Sequence, residues 1–204
     1  KLPRDITYGT KYFKDIHTWL LSYGSWRSTF TGYDAEYKVK GTHPMGGALS
    51  LLWHAQAGPV FAATMNQYKL IEAPNMQSNT RKYLTGGTPR IELIQNGVAY
   101  SNLDDLNTSI TYHEREEACT FTVHTHLVDI NQQAPLQGEV AMTMNYTYSE
   151  QGVSIHLEHC NEPIRLMLPV IASPEENIEF SSHEVYIRKN KGVVCITCES
   201  GDME

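Results

Sequence analysis

From Ser25 onward apolar and polar residues alternate with a period of two, the spacing of strands that bury one face. Over Trp26–Asp34, Trp26, Ser28 and Phe30 alternate with Arg27, Thr29 and Thr31. In Ala48–His54, Leu49, Leu51 and Trp53 fall on one face of an extended strand, and Gly58-Pro59 turns the chain into an apolar return from Val60 to Ile71. Asn96-Gly97 joins Arg90–Gln95 to Val98–Asn102 and is the strongest short hairpin signal in the chain. Further strands are predicted over Ser109–Arg115, Cys119–Ile130, Glu139–Ser149, Val153–Cys160, Ile164–Ile171, Glu184–Lys189 and Val193–Cys198, with hairpin turns at Gly152 and Gly192. Only Lys11–Tyr23 carries a helical pattern. Tyr12, Ile16, Trp19, Leu20 and Tyr23 sit at helical spacing between a possible N-cap, Thr10, and a stop, Gly24, which predicts one short N-terminal helix.

About a dozen strands without βαβ spacing predict an all-β chain of large, stacked antiparallel sheets. No repeat, low-complexity tract or linker divides the sequence, so residues 1–204 are expected to form a single β-sandwich domain. The chain begins at Lys1 without Met and is expected to be a fragment or C-terminal domain of a larger protein. No run reaches the roughly 20 apolar residues of a membrane span. The net charge of −7 argues against nucleic-acid binding, which depends on basic residues neutralising phosphates. It also supplies no long-range attraction for a polyanionic sugar, so local cations must do so.

Candidate chemistry centres on Gly41–Gln77. His43 precedes Pro44 and the glycine pair Gly46 and Gly47, at the entrance to the apolar strand Ala48–His54. A loop of this kind can hold an imidazole over a groove, with Gly46 or Gly47 adopting positive φ. Trp26, Arg27, Tyr68 and Gln77 are the companion candidates for sugar contact. Flat rings stack on sugars, carboxamides read hydroxyls, and a guanidinium pairs with a carboxylate.

Over His43–Gly47 and the two strands that follow, the chain resembles the start of the β-domain of heparinase II/III-like polysaccharide lyases. That resemblance implies a supersandwich-like fold, an acidic polysaccharide as partner, and a periplasmic or secreted location. It implies a site completed by His43 for β-elimination, in which the C5 proton of a uronic acid is removed. Most of that site would sit on a helical toroid domain of the same parent chain, so the isolated chain is expected to be inactive. No cofactor is expected. Some such lyases hold zinc nearby, but Met45 stands two residues beyond His43, and Ala63, Thr64 and Met65 offer no acid, so no metal is expected. The alternative is a free-standing carbohydrate-binding or structural module.

Two other patterns read as structural. His124 and His126 project from the same strand face, roughly 7 Å apart, together with Thr120 and Thr122. Without a third ligand they read as part of a polar face. Cys195 and Cys198 have CxxC spacing within a strand, which puts them on opposite faces about 10 Å apart, too far for a disulfide. Cys119 and Cys160 complete the set, and the four together do not fix the redox compartment.

Overall fold

The computed structural model describes residues 5–32, 45–64, 87–158, 162–201 and 203. The first five strands are β1 (Tyr8–Phe13), β2 (Thr18–Tyr23), β3 (Trp26–Thr31), β4 (Ala48–His54) and β5 (Gly58–Ala62). They form one antiparallel sheet in chain order. A hairpin follows, β6 (Arg90–Gln95) and β7 (Val98–Ser101), then β8 (Ser109–Glu114), β9 (Cys119–His126), β10 (Ala141–Tyr148) and β11 (Val153–Leu157). These last four make a second sheet in the order β11-β10-β9-β8. The short strand β12 (Arg165–Met167) returns to pair with β6. A separate three-stranded sheet holds β13 (Asn177–Phe180), β14 (Glu184–Lys189) and β15 (Gly192–Thr197).

The all-β antiparallel expectation holds, and the first two sheets pack face to face. Phe30 of β3 stacks on Phe121 of β9 at 4.5 Å and meets Tyr146 of β10 edge-on at 4.9 Å. Phe121, Val123, Met144 and Tyr148 are almost wholly buried from the other side. Alternation along these strands therefore fills a dry layer of interlocking side chains, the main source of stability in such a sandwich.

The N-terminal helix is not formed. Lys11–Tyr23 instead contains the end of β1, a 3-10 turn at Lys14–Ile16, and β2. His17 closes that turn at φ 41°. Tyr12 and Trp19 are direct cross-strand partners, stacked at 4.6 Å. Thr10, Tyr12, Phe13, Thr18 and Trp19 are residues that favour a pleated, half-buried surface, and β2 gains a full ladder against β3. Their helical spacing is a coincidence that this pairing overrides.

A second difference lies in β4. Leu49 and Leu52 are buried, whereas Leu51 and Trp53 are only half-buried. The register with β3 shifts between Thr29 and Phe30, so Phe30 faces Leu49 and Ser28 faces Leu52, with Ser50 left over. One extra residue reverses the facing of everything beyond it, which brings two leucines three positions apart onto the same side.

Among the described residues no helix is long and apolar enough to cross a membrane. Cys119, Cys195 and Cys198 are free thiols, in keeping with the geometric argument against a bridge between the last two.

Candidate functional site

His43, Tyr68 and Gln77 lie outside the described residues. Gly46 and Gly47, which follow His43 in the chain, are described, and they are closely packed. Gly46 and Gly47 both take the expected positive φ, 64° and 73°. The reason is close packing rather than freedom of movement. A Cβ on Gly46 would come within 1.5 Å of the Asn102 carbonyl oxygen, and one on Gly47 within 2.1 Å of Val123 Cγ1. Asn102 is buried and holds this crossing in place. Its Nδ2 donates to the Gly46 carbonyl at 3.1 Å, while its Oδ1 accepts the Ile91 N–H at 2.8 Å.

Trp26 and Arg27 are neighbours on β3, and strand alternation points them to opposite faces of the sheet. The Trp26 ring packs toward the core and lies 4.5 Å from the His54 ring. Burial lowers the His54 pKa. Arg27 folds back on the turn, with Nη1 donating to the carbonyls of Gly24 and Trp26 at 2.8 and 2.7 Å. The two therefore do not converge on one groove.

The outer face of the four-stranded sheet is a continuous polar surface. Three cross-strand rows pave it: Ser109, His124 and Thr143; then Thr111, Thr122, Asn145 and His156; then His113, Thr120, Thr147 and Ser154. Every position carries a hydrogen-bonding side chain. Thr122 Oγ1 donates to Asn145 Oδ1 at 2.7 Å, Thr120 and Thr147 hydroxyls meet at 3.0 Å, and His124 Nδ1 lies 3.1 Å from Thr143 Oγ1. A cleft of about 340 Å³ opens at one end of this face, lined by His113, Arg115, Thr120, Thr122, Asn145 and Thr147. In the sequence alone, Thr120, Thr122, His124 and His126 read only as the polar face of one strand. The available signal was the repetition of Thr, Asn and His at alternate positions in adjacent strands, which becomes a surface only once the register is known.

At the far end of β9, His126 sits between two carboxylates. Its Nδ1 lies 3.2 Å from Asp105 Oδ2, and its Nε2 lies 3.0 Å from Glu139 Oε1. Asp105 is buried, and its Oδ2 also accepts the His126 N–H at 2.7 Å and the Thr125 hydroxyl at 2.9 Å. Its Oδ1 accepts the Asn107 N–H at 2.8 Å. This is an anchor that fixes the end of β9 and the orientation of the imidazole. Among the described residues no three His, Cys, Asp or Glu side chains converge to hold a metal.

The adjacent Asp104 behaves differently. Burial, reinforced by the nearby Asp129 carboxylate, pushes its carboxyl up to about 6. The folded state thus binds this proton more tightly than the unfolded chain. The group's contribution to stability is fully present below about pH 4 and is lost as pH rises through about 6. Asp104→Asn is therefore expected to stabilise the fold by about 1–3 kcal/mol above pH 7, with the gain vanishing near pH 4. Urea unfolding at both pH values checks this, and an equal gain at both would refute it.

Residues 10–203 match the family described as the ulvan lyase C-terminal domain. The chain is 34% identical over 203 residues to the broad-specificity ulvan lyase of Formosa agariphila, a match covering 96% of this chain and 31% of the relative. The chain thus spans about a third of the length of that curated relative. No solved structure matches it.

Proposed function

Since the chain belongs to the ulvan lyase C-terminal domain family, we propose that it is the β-domain of a polysaccharide lyase that helps bind an acidic polysaccharide of the ulvan class. The observation that carries this reading is the outer face of β8–β11, where Thr, Ser, Asn and His side chains form a continuous array of donors and acceptors. Hydroxyls and carboxamides on a rigid sheet suit the recognition of sugar hydroxyls.

The finer features of the reading follow the resemblance to heparinase II/III-like lyases. A helical toroid domain of the parent chain supplies most of the β-elimination site, and His43 completes it from the β-domain. The clamped Gly46-Gly47 base gives the loop a fixed origin from which to present that imidazole. An enzyme that meets a polymeric substrate of this kind works in the periplasm or outside the cell.

The test uses the 204-residue chain. In gels containing ulvan its migration is expected to be retarded relative to gels without polymer. Incubated with ulvan, it is expected to produce no steady rise in the ultraviolet absorbance of unsaturated uronic products. Unretarded migration would refute the binding role, and sustained product formation would refute the supporting one.

A further inference from the structure

Resting on that reading, we infer that the cleft at the His113–Arg115 end of the β8–β10 face is a subsite for one anionic sugar unit. Thr122, Asn145 and Thr147 engage its hydroxyls, and Arg115 with His113 takes its acidic oxygens.

Three observations converge on this assignment. The cleft volume of about 340 Å³ lies at the lower end of the range for small-ligand pockets, enough for one sugar unit. The floor is hydrogen-bonded in a way that leaves capacity facing outward. Thr122 spends its proton on Asn145 Oδ1, so the carboxamide is oriented and its two Nδ2 hydrogens have no described acceptor. The paired Thr120 and Thr147 hydroxyls share one hydrogen between them, leaving the other for a ligand oxygen.

The third observation is the charge at the rim. In a chain of net charge −7, Arg115 lines the cleft and makes no ion pair or side-chain hydrogen bond with a described residue. It is nonetheless well placed, because the β8–β9 turn is closed by its own N–H donating to the Ala118 carbonyl at 2.8 Å. His113, two residues before Arg115, lies on the outer face of β8 opposite Thr120 and lines the same cleft. A guanidinium beside an imidazole at the end of a hydroxyl-lined trough forms a local anion receptor, and a bidentate fork reads carboxylate and sulfate alike.

Opposing charges are close. Glu114 alternates to the other side of β8, near Tyr112, whereas Glu116 and Glu117 are exposed at the turn tip beside Arg115. They weaken the field that an incoming anion meets. Neutralising both should therefore tighten binding, a result that a purely structural role for the turn would not give.

The experiment measures binding of the 204-residue chain to ulvan, and to polygalacturonate, dextran sulfate and dextran as carboxylated, sulfated and neutral probes. Arg115→Ala is expected to weaken ulvan binding by about tenfold or more, the loss of a charge-assisted pair. Asn145→Ala should weaken it by about fivefold, the loss of neutral hydrogen bonds. Glu116→Gln with Glu117→Gln should strengthen it, and Lys191→Ala, on the β14–β15 turn of another sheet and outside the cleft lining, should leave it unchanged. Thermal midpoints of all variants should match the parent, since the altered side chains are exposed or half-buried. Polygalacturonate or dextran sulfate should bind more tightly than dextran, and the preferred one identifies the acid. If the parent chain binds ulvan and the Arg115 and Asn145 variants bind equally well, the subsite is wrong while the domain's binding role stands. Equal binding of dextran overturns the anion receptor, and no binding by the parent chain overturns both.

Discussion

Gly46→Ala is expected to destabilise the fold by about 3 kcal/mol or more, as overpacking against an immobile group adds to the cost of a left-handed backbone. The added methyl would meet the Asn102 carbonyl oxygen at 1.5 Å and its carbon at 2.4 Å. That carbonyl cannot move aside cheaply, because it also accepts the Asp105 N–H at 3.0 Å and closes the Asn102–Asp104 turn. Gly97→Ala supplies the comparison. Gly97 has φ 77° in the β6–β7 turn, but nothing lies within 4 Å of the site where its methyl would stand. Its cost should be only about 1–2 kcal/mol, the backbone term alone. Urea unfolding of the two variants measures the difference. Should Gly46→Ala cost no more than Gly97→Ala, close approach is not the reason for a glycine there.

Asp105→Asn is expected to cost about 2–4 kcal/mol although it preserves shape, because it turns a donor toward groups that need an acceptor. The carboxylate accepts from two backbone N–H groups, His126 and Asn107, and from the Thr125 hydroxyl, with the His126 ring at 3.2 Å. A carboxamide can serve one side of this cluster and must present N–H hydrogens to the other. Buried donors on that side then lose their partner, which costs more than the bond itself was worth. Equilibrium unfolding gives the total loss, and hydrogen exchange at the His126 amide locates it. If stability stays within about 0.5 kcal/mol of the parent and that amide remains protected, Asp105 is not the anchor of β9.

These two sites show why the loop bearing His43 could be found in the sequence while its support could not. A His followed by Pro and two Gly before an apolar strand is a local pattern. The partners that make those glycines necessary, Asn102 and Val123, lie more than fifty residues away in the chain. Local information accounts for a positive φ at these glycines, and only the fold supplies the tight crossing that requires it. The companion candidates divide similarly. Trp26 and Arg27 have sugar-binding chemistry as residue types, yet β3 sends one toward the core and folds the other onto a turn.

By itself the sequence determined the strands whose alternation is regular and whose turns are chemically marked. Arg90–Gln95, the Asn96-Gly97 turn with both φ values positive, and Glu184–Lys189 follow from local preferences alone. So does the division of β9 into a buried face and a polar one, because a period of two has a single reading once one face is apolar. Tertiary structure decided the rest. It turned a helically spaced N-terminal stretch into a hairpin, since ladder bonds to β3 outweigh a marginal local preference. It placed Leu52 beside Leu49 through a bulge that no single strand can announce. It also assembled the cleft from residues on three strands, each unremarkable alone, because register between strands is fixed by packing across the sandwich and not by neighbours along the chain.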